Sequence, residues 1–172
     1  MDELSAAQVI DRLAITYRDL RKLASCGVLR GRKRGTATAY PAQYVHELAS
    51  RAELQPGREA IAVRLGPPSE ITDPTWPDRK LIGWHEDWDE STKRNAVRGW
   101  WRIAHDLRAP GTPMVALVGP IIVGAWTVTG DDTPELMPGG LRRLTLKSPD
   151  DRAQRYLNKI VRLGPGAMVT RI

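Results

Sequence analysis

The chain has 172 residues, of which 41% are apolar and 27% are charged, and its formal net charge at pH 7 is +6. This length accommodates one domain or two small ones, and the composition is that of a globular protein, not a disordered one. No apolar run reaches the roughly 18 residues of a membrane span, and Asp2 and Glu3 stand where a signal peptide would be basic. The lone Cys26 excludes an internal disulfide. We therefore expect a cytoplasmic protein without membrane contact.

Two short helices are predicted at the N-terminus. Ser5 and Gln8 have the spacing of a capping box in front of a helix from about Ala6 to Leu13. Thr16 is the expected N-cap of a second helix, and Gly27 supplies a residue that can adopt the left-handed conformation at its end. Two such helices joined by a tight turn make a helix-turn-helix unit.

The second helix is predicted to have one apolar and one cationic face. Leu20, Leu23 and Ala24 are spaced so that they pack inward. The opposite face carries Arg18, Arg21, Lys22 and Ser25. A short cationic face on a helix is often no more than a solvated surface. The residues that follow it in the chain are therefore needed to interpret it as a binding surface.

A basic hairpin is predicted directly after this helix. Two short strands, at 28–29 and 36–40, flank a tip made of glycine and basic residues at 30–35. Seven basic residues and one acid lie between Arg18 and Arg34, which gives +6 within 17 positions, and the rest of the chain sums to zero. Such clustering is typical of nucleic-acid-binding proteins. Pro41 can open a third helix.

The order of these elements resembles the winged helix-turn-helix of the MerR and phage excisionase group. The matching segments are LSAAQV at 4–9, AITYRDLRKLASCGVL at 14–29, the basic wing and AYPAQYVHEL at 39–48. The resemblance spans about residues 3–51 and implies that the second helix enters the major groove of double-stranded DNA, with the wing on the backbone or in the minor groove. No long dimerising coiled coil follows, unlike in a full MerR regulator.

The resemblance and the charge pattern together select a set of candidate DNA-binding residues. In the second helix and its cap they are Thr16, Tyr17, Arg18, Arg21, Lys22 and Ser25. In the wing they are Arg30, Arg32, Lys33, Arg34 and Thr36.

The rest of the chain is predicted to hold a connector and a second domain. Residues 52–79 are rich in proline and glycine, with one short strand at 61–65, and separate a domain at 1–51 from one at 80–172. Five of the six tryptophans lie in the last region. A helix is predicted from Ser91 or Thr92 to about His105, with an inward stripe of Val97, Trp100, Trp101 and Ala104. Another face of that helix would carry Arg94, Arg98 and Arg102, which either touch phosphates or are simply solvated.

The last region is predicted to be α+β. A hairpin at 115–118 and 121–128, strands at 141–146 and 168–172, and a short helix at 151–157 follow from the pattern of β-branched residues and turns. The segments RGWWRI, VALVGPIIVGAWTVTG and RYLNKIV resemble small actinobacterial domains of the PUA-like class, including the ASCH and EVE groups. That resemblance implies an antiparallel sheet that could close into a barrel. It also makes Trp84, Trp88 and Trp100 candidates for a base-stacking pocket, the alternative being that they are core residues.

Catalytic motifs are absent from the sequence. There is no HExxH, P-loop, GxSxG or metal-spaced Cys/His cluster, so we expect no enzyme and no cofactor or metal. The polar residues at 85–89 could hold a cation or serve in acid–base chemistry, although adjacent acids on a loop are usually solvated. We therefore expect a sequence-specific regulator of double-stranded DNA, such as a phage or mobile-element repressor or an excisionase-like factor. The C-terminal domain would extend its footprint, self-associate or bind a protein partner. The alternative is a reader of modified or structured nucleic acid through a PUA-like domain.

Overall fold

Three helices and a small sheet form the N-terminal fifty residues in the computed structural model, which describes residues 2–135 and 137–172. The elements are β1 (Glu3–Ser5), α1 (Ala6–Leu13), α2 (Tyr17–Ser25), β2 (Arg32–Arg34), β3 (Ala37–Pro41) and α3 (Ala42–Ala49). The three predicted helices are confirmed. The sheet is antiparallel in the order β1-β3-β2.

Reciprocal capping fixes where the first two helices begin. Ser5 Oγ accepts from the Gln8 backbone N–H at 3.3 Å, while the Ser5 N–H donates to Gln8 Oε1 at 2.8 Å. Thr16 and Asp19 repeat the arrangement at α2, with backbone-to-side-chain distances of 3.1 and 3.2 Å. Each box satisfies two backbone N–H groups that a helix start leaves without partners. The turn between α1 and α2 is therefore only three residues long, 14–16.

The basic hairpin differs from its predicted form. Arg32, Lys33 and Arg34 are not a loop tip, because they form β2 and pair in register with β3. The turn lies at Gly35 and Thr36, and Gly35 has a φ of +63°. The prediction was wrong because a run of exposed cations has no apolar alternation that would mark it as a strand.

The described part of 61–171 contains eleven further α-helices and β-strands. They are β4 (Ile61–Arg64), β5 (Ser69–Glu70), β6 (Leu81–Ile82), α4 (Glu90–Val97), β7 (Trp101–Arg102), β8 (Pro113–Val118), β9 (Ile121–Asp131), β10 (Leu141–Arg142), β11 (Leu144–Lys147), α5 (Asp151–Gln154) and β12 (Val169–Arg171). The main sheet has the order β11-β9-β8-β4-β12, and its pairs are antiparallel except β4 with β8. Among the described residues this sheet is open, so the suggested barrel closure is wrong. The fold is mixed α+β.

The predicted helix at 91–105 ends early. Asp89 caps α4, which stops at Val97, and Trp101 and Arg102 pair instead with β10. A side chain at Gly99 would place its Cβ 2.9 Å from the Arg142 carbonyl oxygen, so the backbones pass very close there. Strand pairing therefore replaces the helix that the tryptophan spacing suggested.

Both halves of the chain contribute to one cluster of buried side chains. Leu20 and Leu23 of α2 belong to the same cluster as Ile61, Val63 and Val118 of the main sheet. A second cluster covers the other face of that sheet and contains Tyr156, just beyond α5. The segment predicted as a connector thus supplies β4, which lies beside β8 inside the sheet. The sequence predicts that 1–51 and 80–172 fold separately, whereas the shared cluster favours one cooperative unit.

Candidate nucleic-acid interface

Helix α2 presents a cationic face whose two arginines have no partner in the part of the chain that the structure describes. Its inner residues Leu20 and Leu23 are at most 2% exposed, which turns the opposite side outward. Arg18, Arg21 and Ser25 are exposed there, and Tyr17 is 63% exposed at the start of the helix. Neither arginine makes a side-chain hydrogen bond or an ion pair with another described residue. Both guanidinium groups are therefore available to a ligand.

The basic strand β2 points its side chains to two sides. Lys33 pairs with Thr38, whereas Arg32 and Arg34 pair with Ala39 and Ala37, and paired residues in an antiparallel ladder share a face. Arg34 Nε donates to a Glu3 carboxylate oxygen at 3.1 Å. Arg32 and Lys33 have no ion-pair partner in the described part of the chain. The three cations predicted as one tip thus divide between two faces.

A groove of about 580 Å³ separates α2 from the hairpin. Its lining includes Tyr17, Arg21, Ser25, Lys33, Thr36 and Thr38. Hydroxyl and cationic groups from both elements therefore face one open channel. Five of the eleven sequence candidates of the N-terminal region meet here.

Three other candidates have different surroundings. Thr16 Oγ1 is used in the cap, where it donates to Asp19 at 2.7 Å. Lys22 lies on the side of α2 away from the hairpin and lines a groove between α2 and the second half of the chain. Arg30 forms an ion pair with Asp87, although both side chains stay more than 60% exposed. Thr16 and Arg30 therefore lie off the outer face of α2, and Lys22 lies at the edge of that face, one turn from Arg18 and on the side of Asp19.

The three arginines predicted on one helix face do not form a set. Arg94 lies in α4, Arg98 caps its C-terminus, and Arg102 lies in β7. Arg98 Nε donates to the Leu144 carbonyl at 2.7 Å and its Nη2 donates to Asp132 at 2.8 Å. Burial lowers the pKa of Arg98 from its ordinary value, and Asp132 partly opposes that shift. Arg98 is a structural residue, and the helix that would have aligned the three ends at Val97.

The tryptophans lie mostly inside the fold. Trp84 is 1% exposed and packs edge-on against Trp126, with ring centroids 6.3 Å apart. Trp100 is half-buried and donates from Nε1 to Asp73 at 2.6 Å. Trp76 is covered by the guanidinium groups of Arg79, Arg98 and Arg143 at 5.2, 4.9 and 4.9 Å from its ring centre. Trp84 therefore has no free face for a base.

The polar group at 85–89 is occupied by structural contacts. Asp89 accepts from the Thr92 backbone at 2.9 Å and caps α4. Glu86 accepts from Trp84 Nε1 at 3.2 Å, and its own backbone N–H donates to the Cys26 carbonyl at 2.9 Å. In the described ranges, no three His, Cys, Asp or Glu side chains are grouped so that they could hold a metal ion. No described helix is long and apolar enough to cross a membrane.

Comparisons with models of protein families, with curated proteins and with solved structures give no match to this chain. The geometry of α2 and the hairpin is therefore the basis for a functional proposal.

Proposed function

We propose that this chain is a sequence-specific binder of double-stranded DNA, built on a winged helix-turn-helix in which α2 reads the major groove and the β2–β3 hairpin is the wing. The observation that carries this proposal is the exposed pair Arg18 and Arg21 on α2, which have no side-chain partner among the described residues, beside a hairpin whose Arg32 and Lys33 also lack an ion-pair partner there. A regulatory role follows, as a repressor or an excisionase-like factor of a phage or mobile element.

The dimensions of α2 suit a major groove. Its nine residues span about 13 Å, and a helix with side chains is about as wide as the groove of B-DNA, roughly 12 Å. Arginine bonds the O6 and N7 atoms of guanine with two parallel N–H groups, and the free guanidinium groups of Arg18 and Arg21 can do so. Ser25 lies two turns from Arg18 on the same face and adds a short hydroxyl.

The hairpin suits contacts to phosphates. Arg32 and Lys33 are exposed, lie within a strand and point to opposite sides, so the edge of β2 offers charge in two directions. Phosphate contacts fix the register of a protein on DNA without reading its sequence. We therefore propose that α2 reads the base sequence and that the hairpin positions the protein on the phosphate backbone.

Selection from a random duplex library tests this function. The wild-type chain is expected to enrich a motif that contains guanine, because two arginines face the bases. The double variant Arg18→Ala, Arg21→Ala should keep its fold and lose that enrichment. Arg152→Ala is the matched control, since Arg152 is exposed on α5, against the opposite face of the main sheet. Absence of any enriched motif with the wild type would reject sequence-specific DNA binding.

A further inference from the structure

We propose that a second phosphate-binding groove lies on the other side of α2 from the hairpin and is completed by Arg64 of the main sheet. This inference rests on the proposed function, because the phosphate in question is that of a DNA backbone. It assigns to the second half of the chain a direct part in binding, through a residue that no sequence motif marks.

The groove is built by both halves of the chain and has a volume of about 370 Å³. Thr16, Asp19 and Lys22 line it from the side of α2, and Arg64, Gly119 and Arg162 line it from the other side. A DNA phosphate diester is small enough for this space. Three of these side chains are cationic and only Asp19 is acidic.

The acids near the groove are already engaged. Asp19 accepts two hydrogen bonds from Thr16 in the capping box. Glu53 pairs with Arg162 Nε at 3.3 Å. The other nitrogens of Arg162 donate to the carbonyls of Ala14 and Leu13 at 2.7 and 3.0 Å, so Arg162 chiefly holds the turn before α2. Lys22 and Arg64 are left as the cations that can take a phosphate.

The guanidinium group of Arg64 has N–H groups that no described residue uses. Its Nη2 donates to the Gly164 carbonyl at 2.7 Å, which orients the guanidinium group. Its Nη1 makes no hydrogen bond with a described residue, and the side chain has no carboxylate partner there. The Nε also lacks a partner in the described residues but is buried, so it is not accessible to the groove. Lys22 likewise forms no ion pair with a described residue. Lys22 and Arg64 thus line one open groove without a carboxylate partner in the described part of the chain, which is an arrangement that an anion stabilises.

The position of the groove matches the layout of a duplex. A helix in the major groove has a phosphate backbone on each side. The hairpin supplies Lys33 on the Tyr17 side of α2, and the groove supplies Lys22 and Arg64 on the Asp19 side. Both flanks of α2 would then carry phosphate contacts, and the second half of the chain would widen the footprint.

Salt-dependent titration separates this idea from the proposed function. Each phosphate contact that is lost lowers the slope of log affinity against log salt by about 0.9. We expect that decrease for Lys22→Gln and for Arg64→Gln, on selected and scrambled duplexes alike, and twice that decrease for the double variant. Arg64→Lys keeps the charge and should keep the slope. Arg152→Gln is the control for a change in net charge alone, and circular dichroism checks each fold.

The possible outcomes are distinct. Decreases in slope with Lys22→Gln and Arg64→Gln, but not with Arg152→Gln, support the second groove. Unchanged slopes for both variants, in a chain whose binding still depends on Arg18 and Arg21, overturn the groove and leave the proposed function intact. A wild-type chain that binds no duplex at all removes the proposed function together with this inference. Equal decreases for Arg64→Gln and Arg152→Gln would also overturn the groove.

Discussion

Two glycines near the candidate interface adopt the left-handed conformation for different structural reasons. Gly27 follows α2 with a φ of +70°, and a Cβ there would lie 3.1 Å from the His85 ring. Gly35 forms the hairpin turn with a φ of +63°, and nothing lies within 4 Å of a Cβ there. The pair separates the conformational cost of an added methyl group from its steric cost.

Gly35→Ala should lower the free energy of unfolding by about 1 kcal/mol, the cost of holding a non-glycine residue at positive φ. Gly27→Ala should lower it further, because the new methyl group also presses on His85. Urea denaturation of both variants measures the difference. Equal losses would mean that His85 moves aside freely and does not hold the end of α2.

Cys26 gives a prediction on reactivity and pH. Burial raises the pKa of its thiol from 9.0 to about 11, and Lys22 opposes this only partly. Because the thiolate is the reactive form, alkylation at pH 8 should be much slower in the folded chain than in urea. A raised folded pKa contributes stability below pH 9 that is lost as pH rises through 9 toward 11. The free energies of unfolding of wild type and Cys26→Ala should therefore converge or cross over that interval. Parallel curves of this free energy against pH would contradict the buried environment of the thiol.

At the scale of elements, the sequence predicts those structures that local chemistry determines. The capping pair of Ser5 and Gln8 and the N-cap Thr16 were sufficient to place α1 and α2. The hairpin β8–β9 followed from its β-branched residues and its Gly119 turn. The strand β1 was missed because three residues carry no periodicity, and it exists only through pairing with β3. Arg64 was not predicted as a binding residue, because only the tertiary fold brings it to the groove that Lys22 lines.

The turn between α1 and α2 depends on a residue far along the chain. Arg162 donates to the carbonyls of Leu13 and Ala14, which a helix end leaves without partners. Arg162→Ala should lower the free energy of unfolding by about 1 kcal/mol, a modest figure for charged hydrogen bonds because the side chain is 39% exposed. Urea denaturation measures the loss, and Arg152→Ala is the control. An effect no larger than the control would mean that these bonds do not stabilise the turn.

At the scale of the whole molecule, the shared buried cluster argues for one cooperative unit. Leu23 of α2 and Val63 of β4 are fully buried in the same cluster. Leu23→Ala should cost about 2–5 kcal/mol and shift the unfolding of the entire chain. Far-UV circular dichroism follows the helices, and tryptophan fluorescence follows residues 76–126, which hold every tryptophan. Coincident transitions are expected, whereas separate transitions would favour two independently folding domains.

The most direct test of the DNA-binding proposal is a set of titrations against a selected site and a scrambled duplex at several salt concentrations. Arg18→Ala or Arg21→Ala should narrow the preference for the selected site by about 1–3 kcal/mol, because each removes a base contact. Arg32→Ala and Lys33→Ala should preserve that preference and each lower the salt slope by about 0.9. Unchanged affinity in all four variants, for a chain that binds DNA, would show that this surface is not the DNA-binding site.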